Sequence, residues 1–200
     1  MGRRLNTTMT IRRETAASGP GPGVAVCAPT DAELAVRSAS GDRSAFEVLV
    51  NRWQGRVFRF VLVRVRDEHD AAEVTQETLM RAFRSIGRYH SGRSFSTWLF
   101  AIAHRESVNV IRRRLRSARD AQRTIEPSDS DGDELPDVWA LARRVLDDKG
   151  FEAVWLRYVE DLEAGEIAVV MGRSAVGVRV LLHRARTKLA SALEETSGVA

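Results

Sequence analysis

Six arginines stand between positions 105 and 119: Arg105, Arg112, Arg113, Arg114, Arg116 and Arg119. A guanidinium is always charged and pairs with phosphate through a planar fork, so a run of this density suits a polyanion. All but Arg119 sit in Ser94–Arg116, SFSTWLFAIAHRESVNVIRRRLR. At helical spacing Phe95, Trp98, Leu99, Ile102 and Val110 share one side, which would bury against other helices. Arg105, Arg112 and Arg116 share a neighbouring stripe, and Arg113 and Arg114 broaden the charge. Ser94 or Ser96 can cap the start. A core helix needs two or three cations in its last turn to match its dipole; six exceed that need, and the pattern favours nucleic acid.

Two further stretches have related chemistry. Gly87–Arg93, GRYHSGR, is a loop whose Tyr89, His90 and Arg93 can stack on and pair with an unstacked base, although an exposed turn would have the same spacing. Glu163–Met171 predicts a short helix, Gly172-Arg173-Ser174 a tight turn, and Ala175–Leu193 a long helix. That order is the helix-turn-helix pattern, with Arg179, His183, Arg184, Arg186 and Lys188 dressing the second helix. The positions that would face a groove, Ala175, Val176, Gly177 and Val180, are apolar.

Other elements must position these. Thr30-x-x-Glu33, Ser44-x-x-Glu47 and Asp70-x-x-Glu73 have the form of capping boxes, each before an apolar-periodic segment. They predict helices near 31–40, 45–66 and 71–86. Phe46, Leu49, Val50, Trp53, Val57, Phe60 and Val61 face the core in the second, and Val74, Leu79, Ala82, Phe83 and Ile86 in the third. Val61–Val65 has strand propensity, but the flanking periodicity is helical. Gly87 ends the third helix, and with the arginine helix this makes a four-helix domain over 30–116. Leu141, Val145 and Leu146 mark a further helix, and Val154, Trp155, Tyr158 and Val159 another, opening a second domain over 138–195. Between them 117–137 reads as a flexible acidic linker, and residues 1–29, with GPGPG at Gly19–Gly23, as a disordered tail. The fold class expected is all-α: two small helical domains joined by a flexible acidic linker.

At 200 residues with 44% hydrophobic content the chain can bury two small cores. The net charge is +4 and the sequence pI about 9.9. Acidic residues crowd Glu126–Asp137, whereas Arg173–Lys188 has none. Cys27 is the sole cysteine and the four histidines are scattered, so neither a disulfide framework nor a metal site is expected. No phosphate loop, nucleophile–base pair or apolar membrane span is present, which argues against an enzyme, a small-molecule substrate, a cofactor and direct membrane insertion, and for a cytoplasmic protein.

In this order the segments resemble the bacterial RNA polymerase sigma factors of the extracytoplasmic-function group, over about residues 31–194. GDRSAFEVLVNRW (41–53) is similar to the family's opening segment and DAAEVTQETLMRAF (70–83) to its core-binding helix. FSTWLFAIA (95–103) with NVIRRR (109–114) is similar to its promoter-melting helix, and LRYVEDLEAGEIAVVMGRS with LLHRARTKL to its helix-turn-helix domain. The resemblance implies that Asp70, Glu73, Gln76 and Glu77 dock on core RNA polymerase. It implies that Tyr89, His90, Arg93, Trp98, Arg105, Asn109, Arg112, Arg113 and Arg116 hold the melted minus-ten strand of promoter DNA. Arg173, Ser174, Val176, Arg179, His183, Arg184 and Arg186 would meet the minus-thirty-five element. With no sensor domain visible, control would come through an anti-sigma factor, which could hold the chain at the membrane. The chain departs from the family at His104-Arg105, where Asn often follows Arg, at Asn109 for Asp, at Glu73 for Asp, and at Gly177, Val180 and Leu181 in the last helix. These departures fall on promoter choice rather than on fold. The alternatives are a stand-alone helix-turn-helix regulator, which would need no Asp70–Glu77 face, and an interaction protein whose DNA helix has decayed.

Overall fold

The computed structural model describes residues 28–90, 92–120 and 137–197, and all regular structure among them is helical. The order is α1 (Asp31–Ala39), α2 (Arg43–Val65), α3 (Glu68–Ser85), a 3-10 turn (Ile86–Arg88), α4 (Phe95–Asp120), α5 (Asp137–Val145), α6 (Asp148–Tyr158), α7 (Ala164–Met171) and α8 (Ala175–Ser197). Cys27 and most of the expected tail and linker, residues 1–27 and 121–136, lie outside the described residues. Positions 117–120, assigned to the linker from sequence, continue α4 instead.

Local chemistry explains where the first helices start. Thr30 and Glu33 form the expected reciprocal box: Thr30 Oγ1 accepts the Glu33 N–H at 3.2 Å, and Glu33 accepts the Thr30 N–H at 2.8 Å. The other two boxes are displaced. Asp42, not Ser44, caps α2, accepting the Ala45 N–H at 3.1 Å and the Ser44 hydroxyl at 2.7 Å. Those bonds and Arg37 hold its carboxyl down to about 2. Asp67, not Asp70, caps α3 by accepting the Asp70 N–H at 2.8 Å. In both cases an aspartate lay two or three residues upstream, and a full negative charge at the positive helix end is the better cap. Asp70 is thereby left inside the first turn, where its carboxylate is free for another partner.

α1 to α4 bury a common core. α2 runs unbroken through the valine-rich segment, because Phe60, Val61, Val63 and Val65 all find apolar neighbours there. Trp53 meets Phe95 and Phe100 edge-on at 5.9 Å, and Phe60 meets Phe100 at 5.1 Å. Removing a ring such as that of Phe100, which is fully buried, would cost about 3–5 kcal/mol. Phe83 corrects the expected core of α3: it is 45% exposed, with one face on Phe46 at 5.0 Å. Val74 and Ala82 are buried as expected, joined by Ala71, Thr75 and Thr78. Their small side chains allow close approach to α2 and α4.

α5 to α8 form the second group. Trp139, Phe151 and Trp155 pack ring on ring at 5.1–6.1 Å, and Ile167, Val170, Val178, Leu182 and Ala185 join α7 to α8. Tyr158, expected on the apolar side of α6, is exposed at its end. The two groups also pack on each other, α4 against α7 and α2 against α6. Two independent domains would be the simplest reading of the sequence. The direct contact is a tertiary feature that local patterning does not encode.

Candidate nucleic-acid interface

α4 presents the arginine chemistry on one side. Trp98, Arg105, Asn109, Arg112 and Arg116 fall within about 60° of one another at 100° per residue, while Arg114 points to the opposite side. Arg105, Asn109, Arg112, Arg113 and Arg116 are all exposed. None of the four arginines has an ion pair with a described residue. Arg114 is different: it bonds Asp70 at 2.5 Å and Asp67 at 3.2 Å, and donates to the Val65 carbonyl at 2.8 Å. It joins the start of α3 and the end of α2 to α4, which is a structural task. Asp70, expected to face a polymerase, is thus half-withdrawn into this contact.

Arg88, one of the two arginines of the Gly87–Arg93 loop, and Arg84, which sequence reasoning missed, enlarge the basic face. They lie with Arg105, Asn109 and Arg112 along a groove of about 900 Å³ whose far wall is Val169–Gly172. Their spacing, four residues apart across the end of α3 and the 3-10 turn, was the available signal. Tyr89 requires a correction. Its ring is 7% exposed, edge-on to Phe95 and Trp98 at 5.9 and 5.6 Å, and its hydroxyl donates to the Arg93 carbonyl at 2.8 Å. A ring so enclosed cannot offer a face to a base; it braces the loop instead. Burial also raises its hydroxyl pKa. His90 and Arg93 stay exposed, and Trp98 is half-buried.

On α3, Glu73 and Gln76 are exposed, and Glu77 accepts from Arg81 at 2.6 Å. Met80 and Phe83 continue this stripe toward the helix end, so the surface is acidic at one end and apolar at the other.

The helix-turn-helix expected from sequence is present. Gly172 takes the left-handed conformation at φ 62° that ends α7, and Ser174 Oγ accepts the Gly177 N–H at 3.1 Å to cap α8. A Cβ on Gly177 would stand 3.0 Å from that hydroxyl, so the glycine leaves room for the cap. Arg173, Ser174, Val176, Arg179, His183, Arg184 and Arg186 are all exposed, opposite the buried Val178, Leu182 and Ala185. Val176 is 65% and Val180 44% exposed, so these two positions of the early turns of α8 offer apolar contact only, beside the exposed Arg179.

Comparison with known proteins agrees with this geometry. The family model for Sigma-70 region 2 matches residues 49–117, and that for Sigma-70 region 4 matches residues 145–189. The ECF RNA polymerase sigma factor BldN of Streptomyces coelicolor is 31% identical over 82% of this chain and 66% of its own length. The RNA polymerase sigma-H factor of Pseudomonas aeruginosa is 30% identical over 82% of this chain and 94% of its own. The structure of CnrH in complex with the cytosolic domain of CnrY superposes with a TM-score of 0.60 at 27% identity, covering 82% of this chain and 97% of that one. The region 2 match on α2 to α4 sets aside a stand-alone helix-turn-helix regulator. With both regions present in the family's order, the chain belongs to the extracytoplasmic-function group of RNA polymerase sigma factors.

Proposed function

We propose that this chain is a transcription initiation factor that binds core RNA polymerase, brings it to particular promoters and helps to melt them. The observation that carries the reading is the pairing, in one chain, of an arginine-lined groove on α4 with a capped helix-turn-helix ending in α8. In this reading Glu73, Gln76 and Glu77, with Met80 and Phe83 beside them, meet core polymerase. Arg84, Arg88, Arg105, Asn109, Arg112, Arg113 and Arg116, flanked by His90, Arg93 and Trp98, hold the melted minus-ten strand. Their charge suits a backbone, and the half-buried Trp98 offers an aromatic surface to an unstacked base. Asp70 supports the site from behind through Arg114.

Arg173, Ser174, Arg179, His183, Arg184 and Arg186 approach the minus-thirty-five element, with Val176 giving thymine methyl contact. The exposed valines offer little base discrimination, so most promoter choice rests with the groove on α4. The work is binding and melting rather than catalysis, and it takes place in the cytoplasm with the polymerase; no described helix is long and apolar enough to cross a membrane. An anti-sigma factor is the proposed regulator. The matched CnrH was solved bound to a second protein, and no sensory element stands among the described helices.

The test is reconstitution. Purified chain mixed with core polymerase and genomic DNA should give transcripts with a shared upstream pattern, found by sequencing their starts. Transcripts identical to those of core enzyme alone would refute the reading.

A further inference from the structure

A cavity of about 540 Å³ adjoins the strand groove, lined by α2 and α4 on one side and by α5, α6 and the α7–α8 turn on the other. Its size is that of a small-molecule site. Val63, Val108, Ile111, Phe151 and Met171 give it an apolar lining. Promoter binding makes no use of that lining: Arg112 lines both the groove and the cavity, but Val63, Ile111 and Phe151 line only the cavity.

The charge around this lining is unbalanced. Its carboxylates are already engaged. Glu152 pairs with Arg64 and meets His104 Nδ1 at 2.6 Å, and Asp148 accepts from Arg66 at 2.7 Å. Arg112, Arg143, Lys149 and Arg173 also line the cavity, and none of them has an ion pair with a described residue. Exposed cations over water would need no explanation, and Arg112, Lys149 and Arg173 are exposed. Arg143 is not. It is half-buried, its guanidinium stands 3.6 Å from the Phe151 ring centroid, and it donates to the Val63 carbonyl. A ring face and one carbonyl supply no counter-charge. Burial first, and then the nearby Arg66, lower its pKa to about 10, and Asp148 offsets this only in part. A guanidinium is still charged at neutral pH, so a cation is held partly out of water with no anion beside it.

An apolar lining with unpaired cations around it selects among ligands. An inorganic anion would leave the lining unused. An uncharged apolar molecule would leave Arg143 without a counter-ion. Several cations converging on one cavity favour a dianion over a single carboxylate, and the arginine fork matches phosphate oxygens. We propose that this cavity binds a small organic phosphate, its apolar body against Val63, Ile111, Phe151 and Met171 and its phosphate received by Arg143 and Lys149, with Arg112 and Arg173 beside them. The site stands on this geometry and goes beyond the promoter reading.

The test is isothermal titration calorimetry on the full chain, with neither DNA nor polymerase present. The probe is 1-naphthyl phosphate, which joins an apolar ring body to a dianionic phosphate. At the efficiency usual for ligands of this size its Kd should be about 0.5 mM. Inorganic phosphate and 1-naphthol, the two halves of the probe, should each bind about tenfold more weakly or worse. Arg143→Met should weaken the probe about tenfold or more, and Arg143→Lys, which restores the charge without the fork, by less. Ile111→Phe fills the cavity without touching a charge and should cost about tenfold or more; it serves if Arg143→Met does not fold. Lys149→Gln should cost about two- to fivefold. Arg144→Gln removes an exposed cation that does not line the cavity, and should leave the Kd unchanged.

Equal affinity for the probe and inorganic phosphate would reduce the site to adventitious anion binding, and equal affinity for 1-naphthol would reduce it to an apolar cleft; either result overturns the proposal. So would an unchanged Kd in Arg143→Met or Ile111→Phe with helix content intact. A loss in Arg144→Gln as large as in Arg143→Met, or no heat of binding with the parent, would overturn it as well.

Discussion

Replacing Arg112 and Arg113 together by alanine separates the arginines proposed to face DNA from the structural one. Both are exposed and neither has an ion pair with a described residue, so the fold should lose little; surface substitutions of this kind stay within about 0.5 kcal/mol. The DNA should register the full loss. Each contact to a single strand contributes about 0.7 to the slope of log affinity against log salt, so two contacts contribute about 1.4. If the non-electrostatic part is unchanged at 1 M salt, affinity falls about 25-fold at 100 mM, about 65-fold at 50 mM and about 10-fold at 200 mM. The assay is binding of the chain with core polymerase to a pre-melted promoter fragment across that range. Arg114→Ala is the control. Its pairs with Asp67 and Asp70 and its bond to the Val65 carbonyl are partly exposed, worth about 1 kcal/mol together. It should lower the melting temperature by about 2–4 °C and leave the salt slope alone. An unchanged slope in the Arg112/Arg113 variant, or a slope loss confined to Arg114→Ala, would show that this face of α4 does not meet the DNA.

Reversing Glu73 to Arg, on the exposed stripe of α3, should weaken binding to core polymerase at least tenfold without changing the melting temperature, because a like charge would meet a basic partner; equal retention of both proteins on immobilised polymerase would contradict the docking face. Gly172→Ala places a side chain at φ 62° with open space around it, so its cost is conformational, about 1–2 kcal/mol. Calorimetry should show a fall of roughly 3–6 °C in melting temperature, and no fall would mean that the turn relaxes. Acid should destabilise the fold. Glu33, Asp42, Asp67, Glu152 and Glu166 are held below their ordinary values, so the stability they contribute is present above about 4.5 and is lost as pH drops through their folded values. Glu160 is raised and has the opposite sign, favouring the fold in acid and losing that contribution as pH rises through its folded value. Thermal melts from pH 6 to pH 3 should therefore fall monotonically, and a flat or rising profile would show that Glu160 dominates.

Much was legible from local pattern. The period of Phe46 to Val61 gave α2 its buried side, the Gly172–Ser174 turn marked the helix-turn-helix, and Arg105, Arg112 and Arg116 announced an exposed basic stripe. These are short-range features: a helix repeats every 3.6 residues, and a cap or turn is decided within four. Family order then assigned the parts. The misplaced caps at Ser44 and Asp70 were failures at the same short range, since Asp42 and Asp67 stood close by as stronger competitors. The local pattern also announced an odd feature without explaining it. Glu152 interrupts the apolar Phe151–Leu156, and Arg64 interrupts the valines of α2.

Their meaning lay beyond sequence. Tyr89 could be read as a stacking platform or as a core ring until packing against Phe95 and Trp98 made it the latter. Arg114 is indistinguishable from Arg112 and Arg113 in the run until helix rotation turns it toward Asp67 and Asp70. Arg64, His104 and Glu152 are separated by up to 88 residues, and no periodicity links them. The sequence by itself determined the helices, their apolar faces and the sign of the exposed charge, because those depend on neighbours a few residues away. Only the tertiary structure decided which charges stay exposed and which are engaged in the fold, because a charge takes its role from whatever lies within about 4 Å of it in space.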